Sequence, residues 1–455
     1  MTMRNGGFAV LLAAAVTLGG CSTVGAVGDA AGRLNPFGKK DEPQEVAGDG
    51  RRISIIAFDQ KIEASEVLKG VDFFLPPALP QSDWPQPGGL GELNAQHVEA
   101  APAFEVAWRR GFGKGGDRTF HITAPPIVAG GRVYVMDAET DVAALDAQTG
   151  ATLWRKQVSP RTRRDKDGFG GGVAFADGKL YVASGFRMVA QVDPATGVVA
   201  WKQRTASPLH GAPVVSHGRV FVISTDNELL TFDTATGAPG WTFQALVEPA
   251  RILASPSPAV SGDTVVAAFA SGEVVALRAS NGNDLWNNTL SKASRTSALS
   301  EIRDVAGRPV ILEGDVYAAS HGGVFAATDL RTGQMRWSIP VASISTPWAA
   351  GSVVYVVSQA GEVVCASREN GQVYWITDLN AGVKKAKDRA LFSGPVLASD
   401  RLVVASSDGR AIALNPKTGE VIKSIKVGSP VLVSPVVANG MIYLVTNDGE
   451  LVAIR

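Results

Sequence analysis

The sequence predicts an all-β protein, an eight-bladed β-propeller with four-stranded antiparallel blades, and three observations lead to this prediction. First, the turn DAQTGATLW at 146–154 recurs as DPATGVVAW, DTATGAPGW and DLRTGQMRW at 193–201, 233–241 and 329–337. Second, β-branched runs such as GRVFVIS and GELVAIR lie between these turns, each after a turn residue. Third, the motif recurs in steps of 38 to 51 residues, which fits one four-stranded blade per repeat.

The N-terminus predicts a lipoprotein signal peptide over residues 1–20. An Arg is followed by FAVLLAAAVTLGG, which is shorter than the ~20 apolar residues that span a bilayer. The sequence LGGC resembles a lipobox, which implies that Cys21 is acylated and becomes the mature N-terminus. Ser22 follows, and by analogy with other lipoproteins it favours export to the outer membrane. The alternative is an ordinary signal peptide that happens to precede a Cys.

We expect three further segments after the signal peptide. Residues 21–50, rich in Gly, Ala, Asp and Pro, predict a flexible tether. Residues 51–100 predict an ordered N-terminal strap that lies across the main domain. Within it we expect a strand at 52–60, a short helix at 63–68 and then extended, Pro-stiffened chain. Residues 101–455 contain the repeats and predict the eight-bladed propeller.

The recurring turn predicts a structural role for its Asp, Gly and Trp. In the complete motif Ala144 is followed by Asp146, Gly150 and Trp154. The Asx side chain caps the turn, Gly takes a positive φ, and Trp supplies a large flat face between neighbouring sheets. At ~25 cal/mol per Å², burial of a Trp of about 200 Å² stabilises each contact between blades by several kcal/mol. We therefore assign these residues to packing and not to catalysis.

The two ends of the repeat array predict how the ring closes. The chain ends at Ala453-Ile454-Arg455, the first positions of a further motif that lacks its Trp, whereas Trp108 stands alone at the other end. We expect the N-terminal strand to complete the last blade, so that no sheet edge stays open between the ends. The outer strands then carry eight equivalent residues: Trp108, Trp154, Trp201, Trp241, Trp286, Trp337, Trp375 and Lys423.

The charge of the chain argues against a nucleic acid partner. Forty-three basic residues balance forty-three acidic ones, so there is no bulk field that would attract a polyanion. Two basic runs, 161–167 and 384–389, each follow an outer strand. We interpret them as solvated loops, and binding to anionic lipid or to a partner is the alternative.

The Trp repeat resembles the propeller repeat of pyrroloquinoline quinone dehydrogenases, which raises the possibility of an enzyme. That family carries a vicinal disulfide, and Glu, Asn and Asp ligands for calcium beneath the cofactor. Here Cys365 is the only cysteine left after lipidation of Cys21, and it occupies the small-residue position of its repeat. No pair of histidines has metal-ligand spacing among His97, His121, His210, His217 and His321. We expect no cofactor, no metal and no catalytic residues.

The lipobox, the WPQPGG segment and quinoprotein-type repeats without a cofactor site together resemble the BamB family of outer-membrane assembly lipoproteins. The resemblance covers the lipobox and about residues 101–455. It implies a non-catalytic scaffold of the β-barrel assembly (BAM) complex, anchored in the outer membrane and facing the periplasm. It also implies binding to the POTRA domains of BamA, association with other BAM components and transient contact with unfolded outer-membrane proteins.

Two alternatives to this function stay open at this point. One is a quinone-dependent dehydrogenase that has lost its recognisable ligands. The other is an envelope lipoprotein that scaffolds a different complex or binds peptidoglycan or polysaccharide. Loss of outer-membrane proteins after deletion of the gene would distinguish a scaffold of the BAM complex from a scaffold of another complex. Addition of the quinone with calcium tests for the enzyme.

The resemblance also implies where BamA binds. In the family, two neighbouring loops between blades grip BamA, one apolar with an Arg and the other acidic. Matching the repeats places the first loop at PARILASPSP, with Arg251, Ile252 and Leu253, and the second at SEIRDVAGRP, with Arg303 and Asp304. The order of residues in the first loop departs from the family pattern, and Ala306 stands where a second acid is expected. Burial of Ile252 and Leu253 beneath the loop is the alternative.

Overall fold

The computed structural model of the protein describes residues 62–89, 95–165, 168–247, 256–290 and 304–455. The described strands form eight four-stranded antiparallel sheets, which confirms the predicted eight-bladed β-propeller. A 3₁₀ turn, Ala386–Asp388, lies between two of the blades.

The blades are numbered in chain order, and within each blade the first strand lies nearest the centre of the ring. Blades 1 to 4 contain β2 (Ile127–Ala129), β3 (Arg132–Met136), β4 (Asp141–Asp146), β5 (Thr152–Gln157); β6 (Gly171–Ala176), β7 (Lys179–Ser184), β8 (Met188–Val192), β9 (Val199–Arg204); β10 (Val214–Ser216), β11 (Arg219–Ile223), β12 (Glu228–Asp233), β13 (Pro239–Gln244); and β14 (Ala259–Ser261), β15 (Thr264–Ala268), β16 (Glu273–Arg278), β17 (Asp284–Thr289).

Blades 5 to 8 follow the same pattern, except that the outer strand of blade 8 comes from the N-terminal side of the array. They contain β18 (Val310–Leu312), β19 (Asp315–Ala319), β20 (Phe325–Asp329), β21 (Met335–Ile339); β22 (Trp348–Ala350), β23 (Val353–Val357), β24 (Glu362–Ser367), β25 (Val373–Asp378); β26 (Phe392–Ala398), β27 (Arg401–Ser406), β28 (Arg410–Leu414), β29 (Val421–Lys426); and β30 (Val436–Ala438), β31 (Met441–Val445), β32 (Glu450–Ile454), with β1 (Val106–Gly111).

The motif Trp joins each of six blades to the next one in the chain. Trp337 pairs with Ala327 inside blade 5, and its indole N–H donates a hydrogen bond to the carbonyl of Arg368 in blade 6 at 2.8 Å. Five other indoles make the same bond to the following blade, at 2.7 to 3.2 Å: those of Trp154, Trp201, Trp241, Trp286 and Trp375. The hydrophobic core therefore lies largely between adjacent blades.

The motif Gly meets two conditions at once, a left-handed backbone and a close approach of the Trp. Gly371 of blade 6 has φ +74°, and a Cβ added to it would lie 2.8 Å from the indole of Trp337. L-residues rarely adopt this φ, and no side chain fits against the indole at that distance. The turn and the contact between blades thus depend on the same residue.

The ring closes as the sequence predicts. Strand β1 pairs antiparallel with β32, the third strand of blade 8, and Trp108 lies opposite Ala453. Arg455 and Glu105 exchange backbone hydrogen bonds at 2.9 and 3.0 Å just beyond these strands. The two ends of the repeat array are therefore joined by hydrogen bonds without a covalent link.

The described part of the strap covers residues 62–89 and 95–100. Its first residues contact blade 6, where the N–H of Ser65 donates to the carbonyl of Val373 in the outer strand β25 at 2.8 Å, and its later residues lie against inner strands. Trp84 exchanges backbone hydrogen bonds with Val128 of β2. The side-chain amide of Gln86 donates to the carbonyl of Val215 in β10 and accepts from its N–H. Val98 forms a parallel bridge with Ala398 at the end of β26. The expected extended chain thus follows the C-terminal ends of inner strands from several blades.

Two local expectations within the strap have different outcomes. The short helix expected at 63–68 is wrong: residues 66–70 form turns, in which Leu68 and Val71 donate to the carbonyls of residues three positions earlier. Val67 is 80 % exposed, so this segment has no apolar face to bury that would stabilise a helix. The strand expected at 52–60 lies outside the described residues. No helix of the described ranges is long and apolar enough to cross a membrane.

Candidate functional site: inter-blade connections and a central cavity

Of the predicted partner-binding residues, the structure describes Asp304. The lipidation site Cys21 and the loop residues Arg251, Ile252, Leu253 and Arg303 lie outside the described residues. Asp304 is described, and its side chain is buried at 3 % exposure. Its carbonyl accepts a hydrogen bond from the backbone N–H of His321 at 2.8 Å, which fixes the end of the second loop against blade 5.

The start of the first loop is firmly held at Leu246, two residues after β13. Its backbone N–H donates to a carboxylate oxygen of Glu273 at 2.8 Å, and its carbonyl accepts from the Asn227 side chain at 2.6 Å. Burial raises the pKa of Glu273, but hydrogen bonds from Asn287, Ser271 and Leu246 outweigh burial and leave the pKa below its usual value. An ionised Glu273 therefore anchors the loop at neutral pH.

Two apolar side chains project from this anchored backbone. Leu246 is 67 % exposed and the following Val247 is 68 % exposed, immediately before the predicted partner loop. A rigid backbone that presents exposed apolar side chains is suited to binding another protein, because little conformational entropy is lost on association. The sequence analysis missed this pair, although two adjacent apolar residues after the end of an outer strand, in QALVEP, are a visible signal.

The two predicted partner loops are neighbours at one end of the ring. The first connects β13 to β14 and the second connects β17 to β18, so each runs from an outer strand to the next inner strand. At the end of the second loop, the N–H of Val305 donates to the carbonyl of Phe269 in blade 4 at 3.3 Å. The strap contacts the opposite, C-terminal ends of the inner strands.

The two basic runs differ in how many of their charged side chains contact other parts of the protein. In the first, Arg161 stacks over the Phe120 ring at 4.8 Å, and Asp165 pairs with Arg187 at 2.8 Å. Residues 166–167 lie outside the described residues. In the second run, residues 384–389 are all exposed, and no ion pair joins them to any part of the chain that the structure describes. A role for either run in binding stays a prediction.

A cavity of about 360 Å³ lies at the centre of the ring, between the strap and the starts of the inner strands. Trp84, Gly88 and Ala95 of the strap form part of its wall. Trp84 and Trp348 stack with ring centroids 6.0 Å apart. Small hydroxyl-bearing and apolar side chains complete most of the lining, and among the described residues Arg308 contributes a charged side chain to it.

Cys365 and His97, for which the sequence predicts no chemical role, have structural contacts. The Cys365 side chain is fully buried in blade 6, beside Tyr355, and burial raises the pKa of its thiol well above the usual value. His97 accepts the N–H of Asp400 on Nε2 and contacts the Pro76 carbonyl through Nδ1, so it fastens the strap to blade 7. Among the described residues, no group of His, Cys, Asp and Glu is arranged to hold a metal ion.

The sequence matches a family model described as outer membrane protein assembly factor BamB, over residues 138–377 and 381–455. A second model, the β-propeller domain of glucose, ethanol and alcohol dehydrogenases, matches residues 90–176. The chain is 30 % identical to the outer membrane protein assembly factor BamB of Alkalilimnicola ehrlichii, over 81 % of this chain and 93 % of the relative. It is 28 % identical to that of Moranella endobia, over 75 % and 86 % of the two chains.

Solved structures share the fold. The crystal structure of BamB from Moraxella catarrhalis superposes with a TM-score of 0.66 at 19 % identity, covering 78 % of this chain and all of the other. Quinohemoprotein alcohol dehydrogenase from Comamonas testosteroni superposes with a TM-score of 0.63 at 14 % identity, covering 83 % and 81 %. At these identities the likeness is one of architecture, which an assembly factor and a dehydrogenase have in common.

Proposed function

Because the chain belongs to the BamB family of outer membrane protein assembly factors, we propose that it is a non-catalytic scaffold of the BAM complex. In this proposal, Cys21 carries the lipid anchor, residues 21–50 are the tether, and the propeller faces the periplasm from the outer membrane. The propeller binds the POTRA domains of BamA, and the complex then assists the insertion of β-barrel proteins.

The observation that carries the BamA proposal is the exposed pair Leu246 and Val247, held at Leu246 just before the first predicted loop. Interfaces are dominated by a few apolar or aromatic anchors, with charged groups around them. Arg251, Ile252 and Leu253 would extend the apolar anchor along the same loop, with Arg303 on the neighbouring one.

Asp304 has a different position in the proposal, because its side chain is buried. A partner could donate a charge-assisted hydrogen bond to this carboxylate only after the surrounding chain moves. Substitution of a buried carboxylate also changes stability. The exposed pair Leu246 and Val247 is therefore the sharper test of the interface.

The test is co-purification of BamA from detergent extracts of cells that express the Leu246→Glu variant. A charge at the centre of an apolar interface is expected to reduce the recovered BamA at least tenfold, because its desolvation is not compensated. The melting temperature should stay within the error of the wild-type value, since the side chain is exposed. Leu253→Glu should have the same effect if the loop carries the apolar anchor.

The matched control is Val198→Glu, which places the same charge at an apolar residue of 60 % exposure in the outer turn of blade 2. It should leave the recovery of BamA unchanged. Full recovery with both Leu246→Glu and Leu253→Glu would place the interface elsewhere on the propeller. Loss of recovery with Val198→Glu alone would move it to the outer edge of the ring.

The membrane anchor has its own test. In the Cys21→Ala variant the attachment point for the acyl chains is missing, so the protein should fractionate as soluble or inner-membrane-bound precursor. Several acyl chains contribute ~0.8 kcal/mol per buried CH₂, which makes the anchored form effectively permanent. If the variant still sediments with the outer membrane, the lipoprotein assignment is wrong.

A further inference from the structure

Arg308 stands out when the starts of the inner strands are aligned. It directly precedes Pro309, and in six of the other seven blades a Pro also lies near the start of the inner strand or within it, whereas blade 2 has none. The residues before those prolines are small or compact: Pro125, Ala212, Ser257, Thr346, Gly394 and Ser434. This position lines the central cavity in several blades, where the inner strands converge and space is limited. Of the seven blades that share this Pro, blade 5 therefore carries a long cation where the other six carry small or compact residues.

The guanidinium of Arg308 has no partner among the described residues. Its Nε is shielded from solvent without a hydrogen bond, and no ion pair involves the side chain. The terminal nitrogens abut Gly88 of the strap, since a Cβ built there would lie 2.0 Å from one of them. Burial without a counter-charge lowers the pKa of Arg308 to about 9, so the group keeps its proton at neutral pH. An unpaired cation that is partly withdrawn from water is costly, and proteins usually compensate it.

Arg368 is an arginine with a structural role in this fold, and its contacts differ from those of Arg308. Its guanidinium bonds to the Tyr317 hydroxyl at 2.9 Å, to Glu313 at 3.1 Å and to the Gly351 carbonyl. These contacts hold blades 5 and 6 together. Arg308 makes none of this kind with the described chain, and the surface it retains faces the cavity. The Arg308 guanidinium is therefore positioned to pair with a ligand that enters the cavity from solvent.

The cavity has an apolar rim on the side away from the strap. Ile344, Leu391 and Leu432 line it from three successive blades, and they are 40 %, 54 % and 46 % exposed. These three residues precede their inner strands, whereas the strap pairs with the C-terminal ends of inner strands. The volume of about 360 Å³ lies within the ~300–1,000 Å³ of small-molecule sites, which are mostly apolar with few polar groups.

From this arrangement we propose that the central cavity binds a carboxylate attached to a compact apolar group, with Arg308 pairing to the carboxylate. The guanidinium fork accepts a carboxylate in bidentate geometry, and the apolar part of the ligand lies along the rim residues. Free apolar acids and the C-terminal residue of a polypeptide both present this chemistry. This inference does not depend on the proposed contact with BamA.

The test is isothermal titration calorimetry on the purified full-length protein in detergent, with a blank titration into detergent alone. Phenylbutyrate is compared with the neutral phenylbutyramide, and acetyl-Ala-Ala-Leu with a free C-terminus is compared with its C-terminal amide. We expect each acid to bind about tenfold or more tightly than its amide, the range of a hydrogen-bonded charge pair. Binding of the peptide acid alone identifies a polypeptide C-terminus as the source, and binding of the small acid alone identifies a free acid.

Arg308→Gln should abolish the preference for the acids, and Arg331→Gln should preserve it. Arg331 is an exposed residue of the same blade, so it is matched in charge and differs in location. Arg308→Gln should also leave the melting temperature unchanged or raise it, because an uncompensated charge is removed. Leu432→Asp at the exposed rim should weaken acid binding through repulsion, without removing the cation.

Several results would overturn the proposal. They are equal binding of acids and amides to the wild-type protein, no binding of any probe at millimolar concentration, or undiminished acid binding by Arg308→Gln. A clear fall in melting temperature for Arg308→Gln would make the guanidinium a structural group and would also overturn it. If that variant does not fold, the comparison of acid with amide on the wild-type protein still decides the outcome.

Discussion

The contact between blades 5 and 6 and the contact between blades 7 and 8 use the same strand position in opposite ways. In the first, Trp337 is 8 % exposed, donates to the Arg368 carbonyl and lies against Gly371. In the second, the exposed Lys423 occupies that position and donates to the carbonyl of Ala103 at 2.8 Å. Blade 8 is assembled from both ends of the array, so it has no motif turn on which a Trp could dock.

Chain that precedes β1 takes over the role of the missing Trp. The N–H of Ala100 donates to the Ser399 hydroxyl at 2.8 Å in blade 7, and that hydroxyl donates to the Ala100 carbonyl at 2.9 Å. The N–H of Ala101 donates to the carbonyl of Gly440 in blade 8 at 2.7 Å. The comparison teaches that a contact between blades can be held by one buried aromatic, or by a backbone segment bonded to both blades.

The largest expected effect is at the aromatic contact. Trp337→Ala should lower the free energy of unfolding by about 3–5 kcal/mol, because it leaves a cavity and an unpaired carbonyl. Lys423→Ala, at the equivalent position of blade 7, should change it by less than about 0.5 kcal/mol, since the side chain is exposed. Urea unfolding followed by tryptophan-independent circular dichroism measures both. Similar losses for the two variants would contradict the distinction between the contacts.

The next largest loss of stability is expected at Gly371, which faces the indole of Trp337. Gly371→Ala should cost about 2–4 kcal/mol, the sum of left-handed backbone strain and a clash with the indole of Trp337. Gly178 has a similar φ, +70°, and open space around its Cα, so Gly178→Ala isolates the backbone strain at about 1–2 kcal/mol. Thermal or urea unfolding compares the two. Equal costs would show that the indole moves aside without penalty.

The third prediction tests whether the chain that precedes β1 holds blades 7 and 8 together through Ser399. Ser399→Ala removes both hydrogen bonds with Ala100 and leaves its buried N–H unpaired, which should cost about 1–3 kcal/mol. Ser338→Ala, at an exposed serine of β21, is the control and should stay within about 0.5 kcal/mol of the wild type. If Ser399→Ala behaves like the control in urea unfolding, the segment is not what holds these blades.

The smallest expected effect on stability concerns the Asp of the motif turns. In blade 7, Asn415 occupies the position of this Asp. Hydrogen bonds from the Thr196 hydroxyl and backbone N–H lower the pKa of Asp193 from 3.8. A carboxyl with a lowered folded pKa adds stability above its unfolded pKa and loses it as the pH falls through the folded value. Asp193→Asn keeps the acceptor, as Asn415 does with the N–H of Lys417 at 2.8 Å.

The Asp193→Asn variant should therefore melt like the wild type at neutral pH and lose less stability on acidification below about pH 4. Melting curves across that range measure the difference. A variant that is as acid-sensitive as the wild type would mean that this carboxyl titrates equally in the folded and unfolded chain.

The repeat made the ring predictable, because one motif specifies strand, turn and packing in each blade. The eight outer-strand residues, including Lys423, lie where the sequence places them, and β1 closes the last blade. The candidate sites were less predictable. The family resemblance led to the loops at 249–258 and 300–309, but not to Leu246 and Val247, because exposure depends on what packs over a residue.

The sequence by itself determined the fold class, the number of blades and the closure, since each follows from periodicity and from local turn chemistry. Only the tertiary structure decided what meets at the axis of the ring. Arg308 and Gly88 are far apart in the chain, and no local pattern brings a cation of blade 5 against a glycine of the strap. Convergence of the inner strands creates that contact, and with it the cavity and the partly buried charge.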